Sequence, residues 1–464
     1  MKALSVQNLV DQYYKKLNPE QKRAVDAMIK SWSNGAPDEF IFPVIDGPPG
    51  TGKTHIATLA CAKYLLQCTE EGKRGEVVYL CKTNVACERA RKKFIELGFK
   101  WCPPGLPVPQ DELLVAQLVA GKGPQWNEGV VYCSAEIPGP PDWDRLVAHH
   151  VLIVTVDSAQ RVHECRKNPK IVLDEFSQIN ALDFFAAVER VCRGKVLPHS
   201  FTLLGDPIQL PVVTTQPFLR PNVFSTISQL KPGFPRHELK LQYRMHGYIC
   251  EVVNAIRRYH YHTYPLDSYK GVKNRTLEAF GFVPPKTSSP LLKKVLDPDC
   301  PVVLLDTSLL GDEKQGLTGS WLNSGEAHLA AKIVEHFAKG STRPAESIKV
   351  LTPYSAQVEQ ISSLLPKFRQ VVSTIYSAQG QEWPCVVISF VRNNDERKWG
   401  FLGDRGDLDL TAQIYVGVSR AQAKLVVLAA YERTFKEHPD IEPMWGCPHV
   451  EIIPPSEVKK WSST

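Results

Sequence analysis

The sequence lacks the patterns that mark zinc ribbons, disulfide-rich secreted proteins and membrane spans. Its twelve cysteines include no C-x-x-C pair, which excludes zinc-ribbon spacing, and a chain of 464 residues does not need a disulfide framework. No apolar run approaches the ~20 residues of a membrane helix. The N-terminal segment MKALSVQNLVDQYYKK also lacks the long apolar stretch of a signal peptide. We therefore expect reduced thiols and a location in the cytoplasm or nucleus.

The chain also has little excess charge of either sign. Its net charge of +6 is compatible with a groove for nucleic acid but does not by itself argue for one. Basic clusters such as Arg89–Lys93 and Lys293-Lys294 are, taken singly, predicted to be solvated helix faces. The length predicts two cores of ~200 residues each.

Short apolar runs alternate with helical patterns through both halves of the chain. Most runs are rich in Val, Ile and Leu without alternation, as strands buried on both faces of a parallel sheet should be. The predicted strands are Phe40–Ile45, Val77–Cys81, Val151–Val156, Ile171–Leu173, Phe201–Leu204, Val302–Leu305, Ile348–Leu351, Val371–Ser373, Val386–Phe390 and Leu425–Leu428. The fold class is therefore α/β, with two tandem doubly wound parallel-sheet domains.

The predicted domains are residues 1–215 and 216–464, joined by the Pro- and Thr-rich segment Pro211–Pro221. Two stretches interrupt the alternation of strands and helices. Residues 101–141 are rich in Pro and Gly, and residues 260–299 contain many Pro, Lys and Ser residues. Each is either an accessory insertion or a long loop.

The most informative stretch is residues 40–66, where an apolar strand, a glycine-rich loop and a helical pattern follow one another. The loop matches G-x-x-x-x-G-K-[ST] and consists of Gly47, Pro48, Pro49, Gly50, Thr51, Gly52, Lys53 and Thr54. Its glycines allow backbone N–H groups to wrap a phosphate, and the helix N-terminus favours the same anion. Lys53 is suited to the β- and γ-phosphates and Thr54 to Mg²⁺. This stretch predicts a nucleoside-triphosphate site; a chance glycine-rich turn is the alternative.

Two acids follow the apolar run Ile171–Leu173 at the carboxyl end of a predicted strand. Asp174 is suited to hold Mg²⁺, and Glu175 to orient and deprotonate an attacking water. Gln209, after the next strand, is suited to sense the γ-phosphate or to position that water. Standing alone, each would be taken as the start of a loop, and the phosphate loop is what favours a catalytic role.

The second half supplies arginines beside aromatic or buried segments. Arg244 lies in QYRMH and Arg420 in VSRA. P-loop ATPases gain much of their rate from a guanidinium that meets charge on the transferred phosphoryl group. A surface ion pair is the alternative for either arginine taken alone. Gln21, at the start of a helix that Asn18 would cap, has an amide suited to an adenine edge.

The ordered motifs GPPGTGKT, LDEFSQ, LGDPIQLP, LQYRMH, LTPYSAQV, STIYSAQGQEW, SFVRNN and GVSRAQ resemble those of superfamily 1 helicases. Across residues 15–430 the chain is most similar to the 5′-to-3′ branch that includes the nonsense-mediated-decay RNA helicase. This resemblance implies a P-loop NTPase helicase core of two RecA-like domains. It also implies ATP with Mg²⁺ in the cleft between them and single-stranded RNA or DNA across the top.

The resemblance also implies roles for individual residues. Lys53, Thr54 and Asp174 would hold phosphate and Mg²⁺, Glu175 would be the base, Gln209 the γ-phosphate sensor, and Arg244 and Arg420 the arginine fingers. Gln21 would contact adenine with Tyr243 stacked on it, while Gly380 and Glu382 would approach the phosphate and the ribose. The nucleic-acid-facing residues would be Thr83, Asn84, Thr155, Thr352, Pro353, Tyr354, Ser373, Thr374 and Ser377.

Three motifs depart from the family pattern without losing a catalytic side chain. DEFSQ places Phe176 where the family has a small residue, Gly247 replaces a proline after QYRMH, and VGVSRAQ stands for VALTRAK. About twenty residues precede Gln21, so we expect no β-barrel insertion upstream of that motif as in some relatives. We therefore expect a monomeric helicase or translocase, with regulatory proteins as possible partners. An ATP-gated clamp without unwinding is the alternative, and a small-molecule P-loop kinase would explain only residues 40–66.

Overall fold

The computed structural model describes most of the chain and divides it into two compact units. The described residues are 5–34, 42–101, 112–120, 126–127, 130–133, 149–159, 166–193, 200–230, 233–259, 262–287, 289–402 and 412–462. The first unit ends at Leu239 and the second begins at Lys240, except that two short segments, Pro49–Thr51 and Ile208–Leu210, group with the second unit.

The first unit is built on a nine-stranded sheet. Its strands are β1 (Val44–Asp46), β2 (Val77–Cys81), β3 (Val115–Ala120), β4 (Trp126–Asn127), β5 (Val130–Cys133), β6 (Val151–Thr155), β7 (Arg166–Lys167), β8 (Lys170–Asp174), β9 (Cys192–Arg193), β10 (Phe201–Gly205) and β11 (Arg236–Glu238). The order is β11-β1-β10-β8-β2-β6-β3-β5-β4, parallel except for the β4–β5 pair, while β7 and β9 form a separate small ribbon.

Helices cover both faces of this sheet. They are α1 (Val6–Lys16), α2 (Pro19–Asn34), α3 (Lys53–Glu70), α4 (Asn84–Glu96), α5 (Val156–Ala159), α6 (Ala181–Val191) and α7 (Val223–Leu230). Successive side chains of a strand point to opposite faces, so Tyr79 of β2 packs with α1–α4 whereas its neighbour Leu80 packs with α6 and α7. Two apolar cores therefore sandwich one sheet.

The second unit repeats this plan with six main strands. Its strands are β12 (Leu241–Gln242), β13 (Asp267–Ser268), β14 (Val302–Asp306), β15 (Lys314–Gln315), β16 (Trp321–Leu322), β17 (Ile348–Thr352), β18 (Val372–Thr374), β19 (Trp383–Ser389), β20 (Ala421–Ala429) and β21 (Glu451–Ile453). The main sheet runs β18-β17-β19-β20-β14-β21 and is parallel throughout. β12–β13 and β15–β16 are two-stranded ribbons.

Helices again lie on both faces. They are α8 (Gly247–Tyr259), α9 (Lys270–Lys273), α10 (Pro290–Val295), α11 (Ser324–Gly340), α12 (Pro344–Ser347), α13 (Ser355–Leu364), α14 (Ala412–Val418), α15 (Ile441–Trp445) and α16 (Pro455–Ser462). Leu304 of β14 packs with α8, α14 and α15, and its neighbour Leu305 packs with α10, α11 and α16. The predicted fold class, α/β with two doubly wound parallel-sheet domains, is confirmed.

The division between the units differs from the sequence boundary at residue 215. β11 pairs in parallel with β1 of the first unit, with Val44 opposite Arg236, so Pro211–Pro221 lies within that unit. All ten predicted strands form, although of Phe40–Ile45 only the end lies in a strand, and residues 40 and 41 are outside the described residues.

The stretch at residues 101–141 is only partly described. Residues 102–111, 121–125, 128–129 and 134–148 lie outside the described residues, and so do 260, 261 and 288 of the second interruption. In the part that is described, β3 pairs with β6 and so extends the main sheet. Across the described ranges, no helix is both long and apolar enough to cross a membrane.

Candidate nucleotide-binding site

The phosphate loop joins β1 to α3 and depends on two glycines. Gly50 and Gly52 have φ of 81° and 87°, in the left-handed region that glycine adopts without steric cost. α3 is an 18-residue helix whose N-cap, Gly52, has no side chain to cover the first N–H groups. These donors and the helix dipole favour an anion at the loop. The Lys53 ammonium donates to the Gly47 carbonyl and lies 3.5 Å from that of Pro48.

Gln21 lies beside this loop and also caps its own helix. Asn18 Oδ1 accepts from the Gln21 backbone N–H at 2.9 Å, while Gln21 Oε1 accepts from the Asn18 N–H at 3.2 Å. This reciprocal pair is a capping box at the start of α2. A Cβ on Gly52 would lie 3.0 Å from Gln21 Nε2. The amide predicted to contact adenine is thus next to the loop, with its carbonyl engaged in the cap.

The carboxylate of Asp174 collects the groups predicted to bind metal. Its Oδ2 accepts from Thr54 Oγ1 at 2.8 Å and from the Tyr79 hydroxyl at 3.0 Å. Burial and the nearby Asp174 raise the pKa of Tyr79, which keeps the phenol a donor. The other oxygen, Oδ1, is buried and has no hydrogen-bond partner among the described residues. Such an oxygen fits a Mg²⁺ ion or its bound water.

The donor set here is small, as a Mg²⁺–nucleotide site requires. The described ranges contain no cluster of three or more His, Cys, Asp or Glu side chains that could hold a metal by itself. Mg²⁺ is commonly bound through one or two protein oxygens, with phosphate and water completing its shell. Thr54 and Asp174 therefore fit the role that the sequence predicts for them.

Glu175 lies next to Asp174 in a strained backbone conformation. Its φ of 63° is in the left-handed region, which is costly for a residue with a side chain and is often found at functional sites. Its Oε1 accepts from Arg89 Nη2 at 2.9 Å. The prediction that Arg89–Lys93 is a solvated helix face is therefore wrong for Arg89. A signal was present: Arg89 borders the buried face of α4 that Ala86, Ala90 and Phe94 define.

Gln209, the predicted γ-phosphate sensor, lies in the short segment after β10. Its side chain is mostly buried. It belongs to Ile208–Leu210, one of the two segments that group with the second unit. Its proposed role stays a prediction.

Phe176, the departure from the family pattern, points into the first unit's core. It is fully buried, and its ring centroid lies 5.2 Å from that of Phe224. A Cβ on Gly205 would lie 2.6 Å from Phe176 Cδ1, so the ring occupies space that only glycine leaves open at the end of β10. The bulky residue is thus accommodated by packing and leaves Asp174 and Glu175 in place.

We predict that Gly205→Ala lowers the free energy of unfolding by about 1–3 kcal/mol, because the added methyl overpacks the core against Phe176. Chemical denaturation measures this. Gly446→Ala is the matched control, since its nearest neighbours are 3.8 Å from the built Cβ. Adding Phe176→Leu to Gly205→Ala should recover part of the loss; a double variant no more stable than Gly205→Ala would contradict the packing argument.

The second unit brings Arg244, Glu382 and Arg420 together. Arg244 Nε donates to Glu382, and its Nη1 donates to the Ser419 carbonyl at 3.0 Å. Arg244 lowers the pKa of Glu382, against the opposing effect of burial. Arg420 is 2% exposed and donates from Nε to the Val416 carbonyl at 3.0 Å. Gly380 precedes this Glu with φ of 76°. In this conformation both predicted arginine fingers contact groups of their own unit.

Gln242 shapes the QYRMH turn and was not predicted. Its Oε1 accepts from the backbone N–H groups of Arg244 and Met245, both at 2.7 Å. Fully buried, it orients the backbone that carries Arg244. Tyr243, the predicted adenine-stacking residue, packs on Tyr269 with ring centroids 5.0 Å apart. The neighbouring Tyr269 was also missed, because it lies within the irregular stretch 260–299.

Most of the predicted nucleic-acid-facing residues lie at carboxyl ends of parallel strands. In the first unit, Thr83 follows β2 and Thr155 ends β6, its register partner being Cys81. Thr83 Oγ1 accepts from the Ala86 N–H at 3.2 Å and so caps α4, while Asn84 is exposed. Thr155 Oγ1 donates to Ser158 Oγ at 2.8 Å.

In the second unit, Thr352 and Thr374 are register partners at the ends of β17 and β18. Thr374 Oγ1 donates to Ser377 Oγ at 3.1 Å, and Ser373 Oγ is a buried atom without a hydrogen-bond partner in the described part of the chain. Pro353 and Tyr354 follow β17. Tyr354 is 1% exposed and Thr352 is fully buried, so both side chains pack inside the unit in this conformation, and their contact with nucleic acid stays a prediction.

A buried carboxylate, Glu326 of α11, ties together the strand ends of the second unit. It accepts from Thr307 Oγ1 at 2.7 Å, from Ser389 Oγ at 2.6 Å and from the Val391 N–H at 2.9 Å. Burial raises its pKa to about 7 against the effect of these donors. Val391 itself has φ of 74°, so the carboxylate holds a strained turn after β19.

The raised pKa predicts a pH dependence of stability. Folded Glu326 binds its proton up to about pH 7, whereas the unfolded group loses it near 4.5. The contribution of Glu326 to the free energy of unfolding is therefore complete below pH 4.5 and is lost as the pH rises toward 7. Relative to Glu326→Gln, the wild-type midpoint of thermal unfolding should fall across that interval. Glu335→Gln, at an exposed position of the same helix, is the control. If the unfolding midpoints of the wild type and Glu326→Gln depend on pH in the same way, the prediction for Glu326 is wrong.

Comparison with known proteins finds that the chain is similar to helicases. An AAA domain family model matches residues 220–432, and a model of the type III restriction enzyme res subunit matches residues 14–101. The chain is 28% identical over 432 residues to the DNA replication ATP-dependent helicase/nuclease JHS1 of Arabidopsis thaliana, covering 92% of this chain and 29% of that protein.

The chain is also 28% identical over 420 residues to a regulator of nonsense transcripts 1 homolog of Neurospora crassa, covering 83% of this chain and 35% of that protein. It thus spans about a third of the length of these relatives. A solved complex of arterivirus nonstructural protein 10 (helicase) with DNA has a TM-score of 0.41 at 14% identity, covering 89% of this chain and 65% of that one; a score this low supports no inference. The sequence matches confirm the predicted resemblance to superfamily 1 helicases and their nonsense-mediated-decay group.

Proposed function

We propose that the chain is an ATP-hydrolysing, nucleic-acid-stimulated helicase or translocase that moves along single-stranded RNA or DNA in the 5′-to-3′ direction. The observation that carries this proposal is the Asp174 carboxylate. One of its oxygens is held by Thr54 of the phosphate-loop helix, and the other is buried without a hydrogen-bond partner among the described residues. A P-loop beside such an acid, with Glu175 next to it, is suited to phosphoryl transfer to water.

The phosphate loop and the residues that follow β8 and β10 divide the chemistry of hydrolysis in this proposal. The N–H groups of the phosphate loop and Lys53 bind the phosphates, and Gln21 orients the adenine ring. Mg²⁺, when bound at Thr54 and Asp174, would neutralise charge on the phosphate oxygens. Glu175 accepts a proton from the attacking water, which Gln209 helps to position.

The second unit contributes positive charge in this proposal. Arg244 and Arg420 stabilise the charge that develops on the transferred phosphoryl group, and Tyr243, Gly380 and Glu382 contact the nucleotide. Arg244 would exchange its contact with Glu382 for the nucleotide, so hydrolysis requires a rearrangement within the QYRMH turn. A guanidinium that must change partners is a natural control point for turnover.

The strand-end residues suit a sequence-independent grip on nucleic acid. Hydroxyl and amide groups at Thr83, Asn84, Thr155, Ser373 and Ser377 are suited to phosphate oxygens, which carry no sequence information. Binding should therefore weaken steeply with salt. We propose that the chain acts as a monomer, with regulatory proteins as partners, in a reducing compartment such as the cytoplasm or nucleus. Nine described cysteines are free thiols, in keeping with that location.

The test is steady-state ATP hydrolysis with no nucleic acid, with single-stranded RNA and with single-stranded DNA. We expect at least one strand to stimulate turnover, and Lys53→Ala to reduce the stimulated rate by roughly 10²-fold or more, since a phosphate-binding charge is lost. Lys73→Ala, an exposed lysine just after α3, is the matched control.

Two outcomes would contradict the proposal in different ways. Turnover that neither strand changes would exclude a nucleic-acid-driven motor. Stimulated turnover with neither separation of a duplex that carries a single-stranded 5′ tail nor movement along a single strand would leave an ATP-gated clamp. The larger of the two stimulations identifies the preferred strand.

A further inference from the structure

The proposed base, Glu175, has a charged partner that nothing in the family motifs assigns. Arg89 Nη2 lies 2.9 Å from Glu175 Oε1, and the two side chains are 30% and 9% exposed. Burial lowers the pKa of Arg89, but the carboxylates of Glu175 and Asp174 outweigh it and raise that pKa above its ordinary value. The guanidinium is therefore charged, and the pair is a true ion pair within the first unit.

This ion pair opposes the chemistry proposed for Glu175. A general base must present an oxygen to the water and accept its proton. Arg89 occupies one carboxylate oxygen, so that oxygen does not meet the attacking water while the ion pair holds. The ion pair also fixes the Glu175 side chain in a position that α4 sets.

The helix that carries Arg89 also carries predicted strand contacts. α4 begins at Asn84, directly after its cap Thr83, and Arg89 is five residues further on, about 8 Å along the helix axis. Ala86, Ala90 and Phe94 bury one face of this helix in the core, so it behaves as one rigid element. A nucleic-acid strand bound at the start of α4 and the Glu175 carboxylate therefore contact the same helix.

We infer that Arg89 is a restraining residue, which holds Glu175 in the strand-free chain and releases it when a nucleic-acid strand binds at the start of α4. The release allows Glu175 to accept the proton of the attacking water, so strand binding and ATP turnover are coupled through one helix. This inference rests on the proposed function, since it explains why a strand should stimulate hydrolysis.

The experiment compares Arg89→Gln with wild type for turnover of ATP, with and without saturating single-stranded nucleic acid. We expect strand-free kcat to rise about tenfold, a part of the ~10²–10⁴-fold that a positioned base contributes. KM for ATP and the rate at saturating strand should stay near wild type, so the stimulation shrinks. Strand affinity, measured separately, ensures that the strand is saturating.

Two further variants separate restraint from loss of charge. Lys92→Gln removes a positive charge from the same helix at a side chain that is 67% exposed and pairs with Glu88, and it should leave strand-free turnover unchanged. Arg89→Lys keeps the charge without the planar fork, so its strand-free turnover should lie between wild type and Arg89→Gln. If Arg89→Gln does not fold, judged by its thermal unfolding, the Lys variant carries the test.

The outcomes distinguish this inference from the proposed function. A wild-type chain whose turnover no strand stimulates overturns both. If a strand does stimulate the wild type, the inference alone is overturned when Arg89→Gln, or Arg89→Lys in its place, has strand-free turnover equal to or below that of the wild type. The same holds if Lys92→Gln raises that turnover as much as Arg89→Gln does.

Discussion

The first unit's site depends on one carboxylate oxygen. Asp174 Oδ2 receives hydrogen bonds from Thr54 at the start of α3 and from Tyr79 in the middle of β2. These two bonds connect the phosphate-loop helix, the strand that ends at Asp174 and a neighbouring strand, all within a core where an unmatched polar group would cost several kcal/mol. With Oδ2 satisfied in this way, the other oxygen is directed at whatever occupies the site. Because the carboxylate is immobile, the adjacent Glu175 is positioned as well.

How much of this could be predicted from the sequence depends on how far apart in the chain the interacting residues lie. Continuous apolar runs such as Val77–Cys81 predict buried parallel strands, and the glycine pattern of residues 47–54 predicts the phosphate loop. Both patterns follow from local backbone and burial requirements. β11 was missed because Arg236–Glu238 is polar and forms only by pairing with β1, nearly two hundred residues earlier. Its pairing also displaced the expected domain boundary, since short polar edge strands carry no apolar signal.

The site shows the same division. Lys53, Thr54, Asp174 and Glu175 could be predicted as site residues because each lies at a fixed offset from a loop or a strand end. Tyr79 and Gln242 were not predicted. Tyr79 donates its hydrogen bond to Asp174 from another strand, and Gln242 accepts hydrogen bonds that close the QYRMH turn from within. Tyr354 follows β17, where a nucleic-acid-facing residue is predicted, and tertiary packing buries its side chain in this conformation. Spacing in a sequence identifies which strand end a residue occupies but not which way its side chain turns.

Both units follow one electrostatic rule. In each, a glutamate with a predicted role in ATP binding or hydrolysis is paired with an arginine of the same unit: Glu175 with Arg89, and Glu382 with Arg244. A charge that is poorly exposed to water is costly unless an opposite charge lies close by. Pairing therefore allows Glu175 and Arg244, each with a side chain that is 9% exposed, to be buried in the folded units. In the proposed mechanism these groups become available when a ligand offers a better partner, and phosphate, which accepts two parallel hydrogen bonds from a guanidinium, is such a partner for Arg244. In the proposed mechanism, the charge pairs that offset the cost of burying these groups also make their chemistry conditional on ligand.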